Sequence, residues 1–171
     1  MITSALISTV ATLEITLKKI VPFPIAEPIY IQSRLYYDNP VIEIPKIDLK
    51  KEVYPNDASK NTVDKNIQVI EGSSMPNVDG GNLILASHSG NSSIAYFKHL
   101  DRLNYNDEFY IYYKDIKYRY VIGDIYDVPK TGYVEIKRDR SKSATSLITC
   151  KKGTGMQTVY IGYLVSISKT L

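Results

Sequence analysis

Apolar residues at the start of the chain, Ile2, Leu6, Val10, Leu13, Leu17 and Ile20, recur at intervals of three and four, which predicts one apolar stripe along an N-terminal amphipathic helix. Glu14 interrupts the run well short of the ~20 apolar residues that a membrane span requires. No basic leader or small-residue cleavage site accompanies it, so the pattern is that of a helix packed on the body of the protein. The prolines of "VPFPIAEP" then stop helix propagation, because proline lacks the N–H and fixes φ. From about residue 40 the period changes from helical to two. "VIEIPKIDLKKEVY" alternates around Pro45 and predicts a strand with a proline-marked kink leading into a second strand. "DKNIQVIEGSSMPN" predicts a short helix or turn, and "NLILASHS" a compact apolar strand with its polar residues at the C-terminal end. Ser92 and Ser93 can cap a helix through "IAYFKHLDRL". "EFYIYY" and "KYRYVIGDIYDV", joined by "KDI", have the pattern of a hairpin. The charged connection "PKTGYVEIKRDRSKS" precedes two further strands, "ATSLITC" and "TVYIGYLVSI".

The count is about eight strands with two short helices, which predicts a mainly β fold and a closed or nearly closed β-barrel. The expected division is an N-terminal helix and extended segment over 1–39 and a barrel over 40–171. Composition agrees: 171 residues suit one full core, and 15 tyrosines with no tryptophan favour pleated, half-buried surfaces. The net charge of +3 is spread along the chain, leaving no concentrated basic footprint for nucleic acid. A single cysteine excludes an internal disulfide and a multi-cysteine zinc site.

That cysteine, Cys150, follows "SLIT" at the end of one predicted strand, and His88 follows "NLILAS" at the end of another. A lone thiol is more often an inert core residue than a nucleophile. A neighbouring base or cation changes that, because it favours the reactive thiolate. If the two strands are neighbours, both side chains emerge on one rim of the barrel. The other histidine, His99, falls on the predicted helix between Lys98 and Leu100, as an ordinary surface residue.

"GGNLILASHSGN" and "SLITC" resemble the N-V-x-I-A-x-H and T-L-x-T-C strand ends of the sortase transpeptidases of Gram-positive bacteria, and "VIEIPKIDLKKEVY" resembles the family's first strand, I-x-I-P-x-I-x-L-x-x-x-I-Y. The resemblance covers roughly residues 40 to 165, with the motifs in family order. It implies a sortase-like eight-stranded β-barrel at the extracellular face of the cell membrane, and leaves room for an anchor upstream of this chain. It also implies cleavage of an L-P-x-T-G-like sorting signal after its threonine. The acyl group would pass through a cysteine thioester to an amine acceptor, a peptidoglycan precursor or a pilin lysine. Carried over by position, Cys150 is the nucleophile and His88 the acid and base, while Ser87 and Thr149 belong to the substrate-binding side. For Thr149 the alternative is a β-branched residue suited to any strand.

The family's last-strand arginine has no counterpart, since no arginine follows Cys150; matching "QTVYIG" to that strand puts Gln157 there. A glutamine amide donates a hydrogen bond but lacks the charge and the fork of a guanidinium. The alternatives are Gln157 as a neutral donor, a cation from a loop (Arg138, Arg140, Lys151 or Lys152), a slow or degenerate sortase, or a register displaced by one residue. "YYDNPVIEI" separates Asp38 from Pro40 and has no following aromatic, which argues against an Asp-Pro-aromatic lid, and the 129–143 connection is too short for a long helical insertion. Glu135 and Asp139 fall short of the six to eight oxygens that Ca²⁺ takes, so neither metal nor cofactor is expected. Two rival functions remain: a hydrolytic cysteine protease with the same dyad, and a sortase-like barrel acting as a surface binding module with Cys150 in its core.

Overall fold

The computed structural model describes residues 36–170, and the predicted N-terminal stripe lies outside them. Eight strands form one sheet: β1 Tyr37–Ile44, β2 Leu49–Glu52, β3 Gln68–Val69, β4 Asn82–Ala86, β5 Glu108–Lys114, β6 Ile116–Pro129, β7 Ala144–Cys150 and β8 Met156–Lys169. The spatial order is β2-β1-β5-β6-β8-β7-β4-β3. A single parallel bridge, Tyr54 to Gln68, joins the two ends of that order and closes the barrel. All named pairs are antiparallel except β4 with β7, which run parallel from Asn82 opposite Ala144 to Ala86 opposite Ile148.

The kink at Pro45 is a 3-10 turn, Pro45–Ile47, that reverses the chain so that β2 pairs back on β1. The hairpin of β5 and β6 forms as the alternation predicts, with Lys114 at φ 55° in its tight turn. Two predicted helices do not form. "DKNIQVIEG" buries Ile67 and Val69, a period of two, and becomes β3. The side chain of Asn61 takes the place of a neighbouring strand for Val69, accepting from its N–H at 2.6 Å and donating to its carbonyl at 2.9 Å. "IAYFKHLDRL" folds as turns ending in a 3-10 turn, Leu100–Arg102. Its buried residues Ala95, Phe97, Leu100 and Leu103 are two or three apart, a spacing that suits 3-10 geometry better than an α-helix.

Strand alternation sorts the side chains into two groups. Leu83, Leu85, Phe109, Ile111, Tyr120, Leu147 and Tyr160 fill the barrel interior. Gly162 is required there: a Cβ would stand 2.3 Å from the Phe109 ring, which stacks on Tyr120 with centroids 5.3 Å apart. On the outer face of β4, β7 and β8, a smaller cluster of Ala144, Ile148, Val159 and Ile161 is covered by Val134 and Ile136 of the β6–β7 connection. Two tyrosines hold that charged connection down. The Tyr126 hydroxyl accepts from Lys137 N–H at 2.7 Å and donates to the Glu135 carbonyl at 3.1 Å, while the Tyr163 hydroxyl accepts from Asp139 N–H at 2.9 Å and donates to Asp124. Among the described residues no helix is long and apolar enough to cross a membrane.

Candidate active site

The parallel β4–β7 ladder sets the relation between the two chemical side chains. Ala86 lies opposite Ile148, and Ser87 N–H continues the ladder to the Ile148 carbonyl at 3.2 Å. Two residues beyond Ala86 is His88, and two beyond Ile148 is Cys150, so the pleat puts both on the outer face at the same level. Cys150 and His88 are each partly exposed. The thiol is therefore not enclosed in the core, contrary to what a lone cysteine usually implies.

Across β7 on its other side, Cys150 is paired with Gln157 of β8. Directly opposed residues of an antiparallel pair project from the same face. Gln157 thus shares the face of Cys150 and His88, and β6 continues the row with Val128 opposite Gln157. No displacement of register is needed to bring Gln157 beside the thiol. Of the four candidate cations, Arg138, Lys151 and Lys152 are engaged with other partners. Arg138 donates to the carbonyls of Gly80 and Lys142, at the opposite end of the β4–β7 ladder, and the Arg140 backbone lies beside Gly80 too. Lys151 pairs with Asp127, which also accepts from Thr158 at 2.7 Å, and Lys152 donates to the Lys98 carbonyl at 2.9 Å.

Ser87 and Thr149 point the other way, into the interior. Thr149 is buried, and its hydroxyl donates to the Ser87 carbonyl at 2.9 Å, tying the C-terminal ends of β4 and β7 together. Ser87 is buried as well, 5% exposed, and its hydroxyl has no partner among the described residues.

Two cavities lie near this row of side chains, and Cys150 lines the first. That cavity has about 590 Å³ and a mixed lining that includes Thr149, Cys150, Lys151, Thr158, Tyr160 and Asp127 beside Phe97 and Leu103. Burial, with smaller contributions from Asp101 and Asp127, pushes the Tyr160 phenol up to about 12, so it stays a neutral hydroxyl at physiological pH. On the outer face a groove of about 450 Å³ has Ile84, Ala86, Ile148 and Gln157 on its floor and Tyr133, Val134 and Ile136 in its roof. Ala86 and Ile148, two residues before His88 and Cys150 on their strands, bring the groove up to the rim on which those two side chains stand.

Sequence reasoning missed two charged neighbours. Asp64, in the loop between β2 and β3, places its carboxylate 3.3 Å from His88 Nε2, an ion pair whenever the imidazole is protonated. Lys130, just past β6, lines the outer groove together with Gln157. Neither lies in a motif; the β3–β4 and β6–β8 pairings bring them in, and no local spacing signals those. Among the described residues no three histidine, cysteine, aspartate or glutamate side chains cluster as metal ligands.

The sortase-domain family model matches residues 42–164 of the chain. No curated protein matches it by sequence. Among solved structures it is similar to sortase C of Streptococcus pneumoniae, with 20% identity and a TM-score of 0.67 over 78% of this chain and 70% of that one. Sortase C1 of Streptococcus agalactiae is 27% identical with a TM-score of 0.66, covering 75% of this chain and 68% of that one. Sortase A of Listeria monocytogenes is 19% identical with a TM-score of 0.65, covering 77% and 90%.

Proposed function

The chain belongs to the sortase family of cysteine transpeptidases, and from that premise we propose that Cys150 and His88 carry out acyl transfer from a sorting-signal peptide of the L-P-x-T-G type to an amine. The observation that carries this reading is the parallel β4–β7 ladder, which levels His88 with Cys150 on one face, with Gln157 opposite the thiol.

The donor peptide lies in the outer groove, its apolar residues against Ala86, Ile84 and Ile148 and under Val134 and Ile136. The Cys150 thiolate forms a bond to the carbonyl carbon of the scissile peptide, and the carbonyl oxygen takes the negative charge. The Gln157 side-chain amide donates to that oxygen. Protonated His88 gives its proton to the departing amine as the C–N bond breaks, leaving a thioester. In the second half-reaction an incoming amine attacks the thioester, neutral His88 takes its proton, and the Cys150 thiolate leaves. Asp64, 3.3 Å from Nε2, holds the His88 ring in place through both steps. Thr149 acts through the backbone, holding the two strand ends in step. The acceptor is a cell-wall precursor amine or a pilin lysine, and the site of action is the outer face of a Gram-positive cell membrane.

The test is product analysis. A sorting-signal peptide with an oligoglycine or a diamine should give a ligated product, absent with Cys150→Ala and at least about 10²-fold slower with His88→Ala. Hydrolysis alone at high amine concentration would assign the dyad to a protease instead. Failure of Cys150 to alkylate in the folded protein between pH 6 and 9 would leave the barrel a binding module.

A further inference from the structure

The outer groove crosses the strands instead of following one. Its lining runs from Lys130, just past β6, over Gln157 on β8, Ile148 on β7 and Ala86 on β4, to Glu71, just past β3. Four strand spacings of about 4.8 Å make this path roughly 19 Å along the sheet, the length of five or six extended residues at about 3.3 Å each.

The middle of the path is apolar, and its two ends carry opposite charges. Lys130 pairs with no carboxylate among the described residues, although Lys137, Arg138 and Lys142 on the same connection are engaged. Lys137 faces Glu135 at 3.5 Å, Lys142 faces Asp139 at 3.1 Å, and Arg138 donates to backbone carbonyls. Glu71, likewise exposed, has no cationic partner among the described residues. The Lys130 backbone is fixed, its N–H donating to the Gly155 carbonyl at 2.9 Å, so the base of the side chain has a set position at the mouth of the groove.

We propose that this groove sorts its peptide by charge order: it favours a segment with an acidic side chain at the Lys130 end and a basic side chain at the Glu71 end, five or six residues apart, over the reverse. This deepens the reading of the groove as the acyl-donor site and rests on it. Each contact is an exposed ion pair and is worth about two- to five-fold in kcat/KM or Kd, so the favoured order exceeds an uncharged peptide by about four- to twenty-five-fold and the reverse order falls below it.

The experiment uses three peptides with one core, Leu-Pro-Ala-Thr-Gly, flanked by Glu and Lys, by Lys and Glu, or by two Gln. Their kcat/KM values are measured with the wild-type chain, and their Kd values by fluorescence anisotropy on Cys150→Ala. One charged order should exceed the neutral peptide and the other fall below it. The double reversal Lys130→Glu with Glu71→Lys should invert that ranking, and raising the salt to 1 M should compress it. Equal values for all three peptides, a ranking that survives the double reversal, or no detectable binding of any peptide overturns the proposal. Binding in charge order to Cys150→Ala without turnover by the wild type would sustain charge sorting and refute acyl transfer, so the two failures are told apart.

Discussion

At the scale of single residues, the site separates into groups that face the groove and groups that hold them there. Gln157 is the first kind. A neutral amide opposite the thiol supplies one hydrogen bond to a developing oxyanion, and loss of one such donor costs about 10²- to 10³-fold in rate. Gln157→Ala should lower kcat/KM by about 10²-fold with little change in Tm, while Gln157→Arg should keep or raise activity; equal activity of all three chains would remove Gln157 from the chemistry. Thr149 is the second kind. Thr149→Val keeps the branched shape but leaves the Ser87 carbonyl without its 2.9 Å donor, which should cost about 1 kcal/mol of stability in urea titrations. Asp64 is 80% exposed along its side chain, so solvent screens its pull on His88 and Asp64→Asn should change kcat/KM by less than about five-fold. The dyad was legible in the sequence because each partner ends an apolar strand. Its charged neighbours were not, because Asp64 stands in a loop 24 residues from His88 and Lys130 comes beside Gln157 only through the β6–β8 pairing.

At the scale of elements, periodicity succeeded where one face of a strand is buried and failed where burial repeats every two or three residues over a short stretch. The β5–β6 hairpin and the two motif strands are of the first sort. The 94–103 segment is of the second, since its stripe reads as helical in sequence yet buries Ala95, Phe97 and Leu100 in turns. The hairpin also carries the clearest titration. The Arg119 guanidinium, with the Tyr110 hydroxyl, holds the Glu108 carboxyl down to about 2 from an ordinary 4.5. A carboxyl depressed in the folded state stabilises it fully above the unfolded value, and that contribution is lost as pH falls from about 4.5 towards 2. The urea midpoint of the wild type should therefore drop over this window more steeply than that of Glu108→Gln. Parallel slopes would show that the pair is too exposed to matter.

For the whole molecule, the barrel rests on tight packing at the centre of its longest ladder. β6 and β8 pair from Ile116 opposite Lys169 to Pro129 opposite Met156, and Gly162 within that ladder leaves room for the Phe109 ring. Gly162→Ala puts a methyl where the ring and the Tyr120 Cβ already stand, which should cost about 1–3 kcal/mol and lower Tm by several degrees. Phe109→Leu in the same chain should recover part of that loss, whereas an additive loss would mean that the ring moves aside freely. The barrel could be read from strand count and alternation. What could not be read is how it closes, because Tyr54 and Gln68 meet through one bridge with no sequence pattern of its own.

That closure divides the molecule by its rate of opening. One backbone bridge and the Asn66 amide, donating to the Glu52 carbonyl at 2.8 Å, hold the seam, while the ladders bearing Cys150 and Gln157 are long and doubly flanked, so amide protons near the seam should exchange with solvent well before those of β6, β7 and β8. The 55–66 loop, which carries Asp64, bridges the two strands on either side of that seam. A local opening there should part the Asp64 carboxylate from His88 while the cysteine strand stays folded. On that expectation Asp64 belongs to the fast-exchanging part of the protein and Cys150 to the slow one.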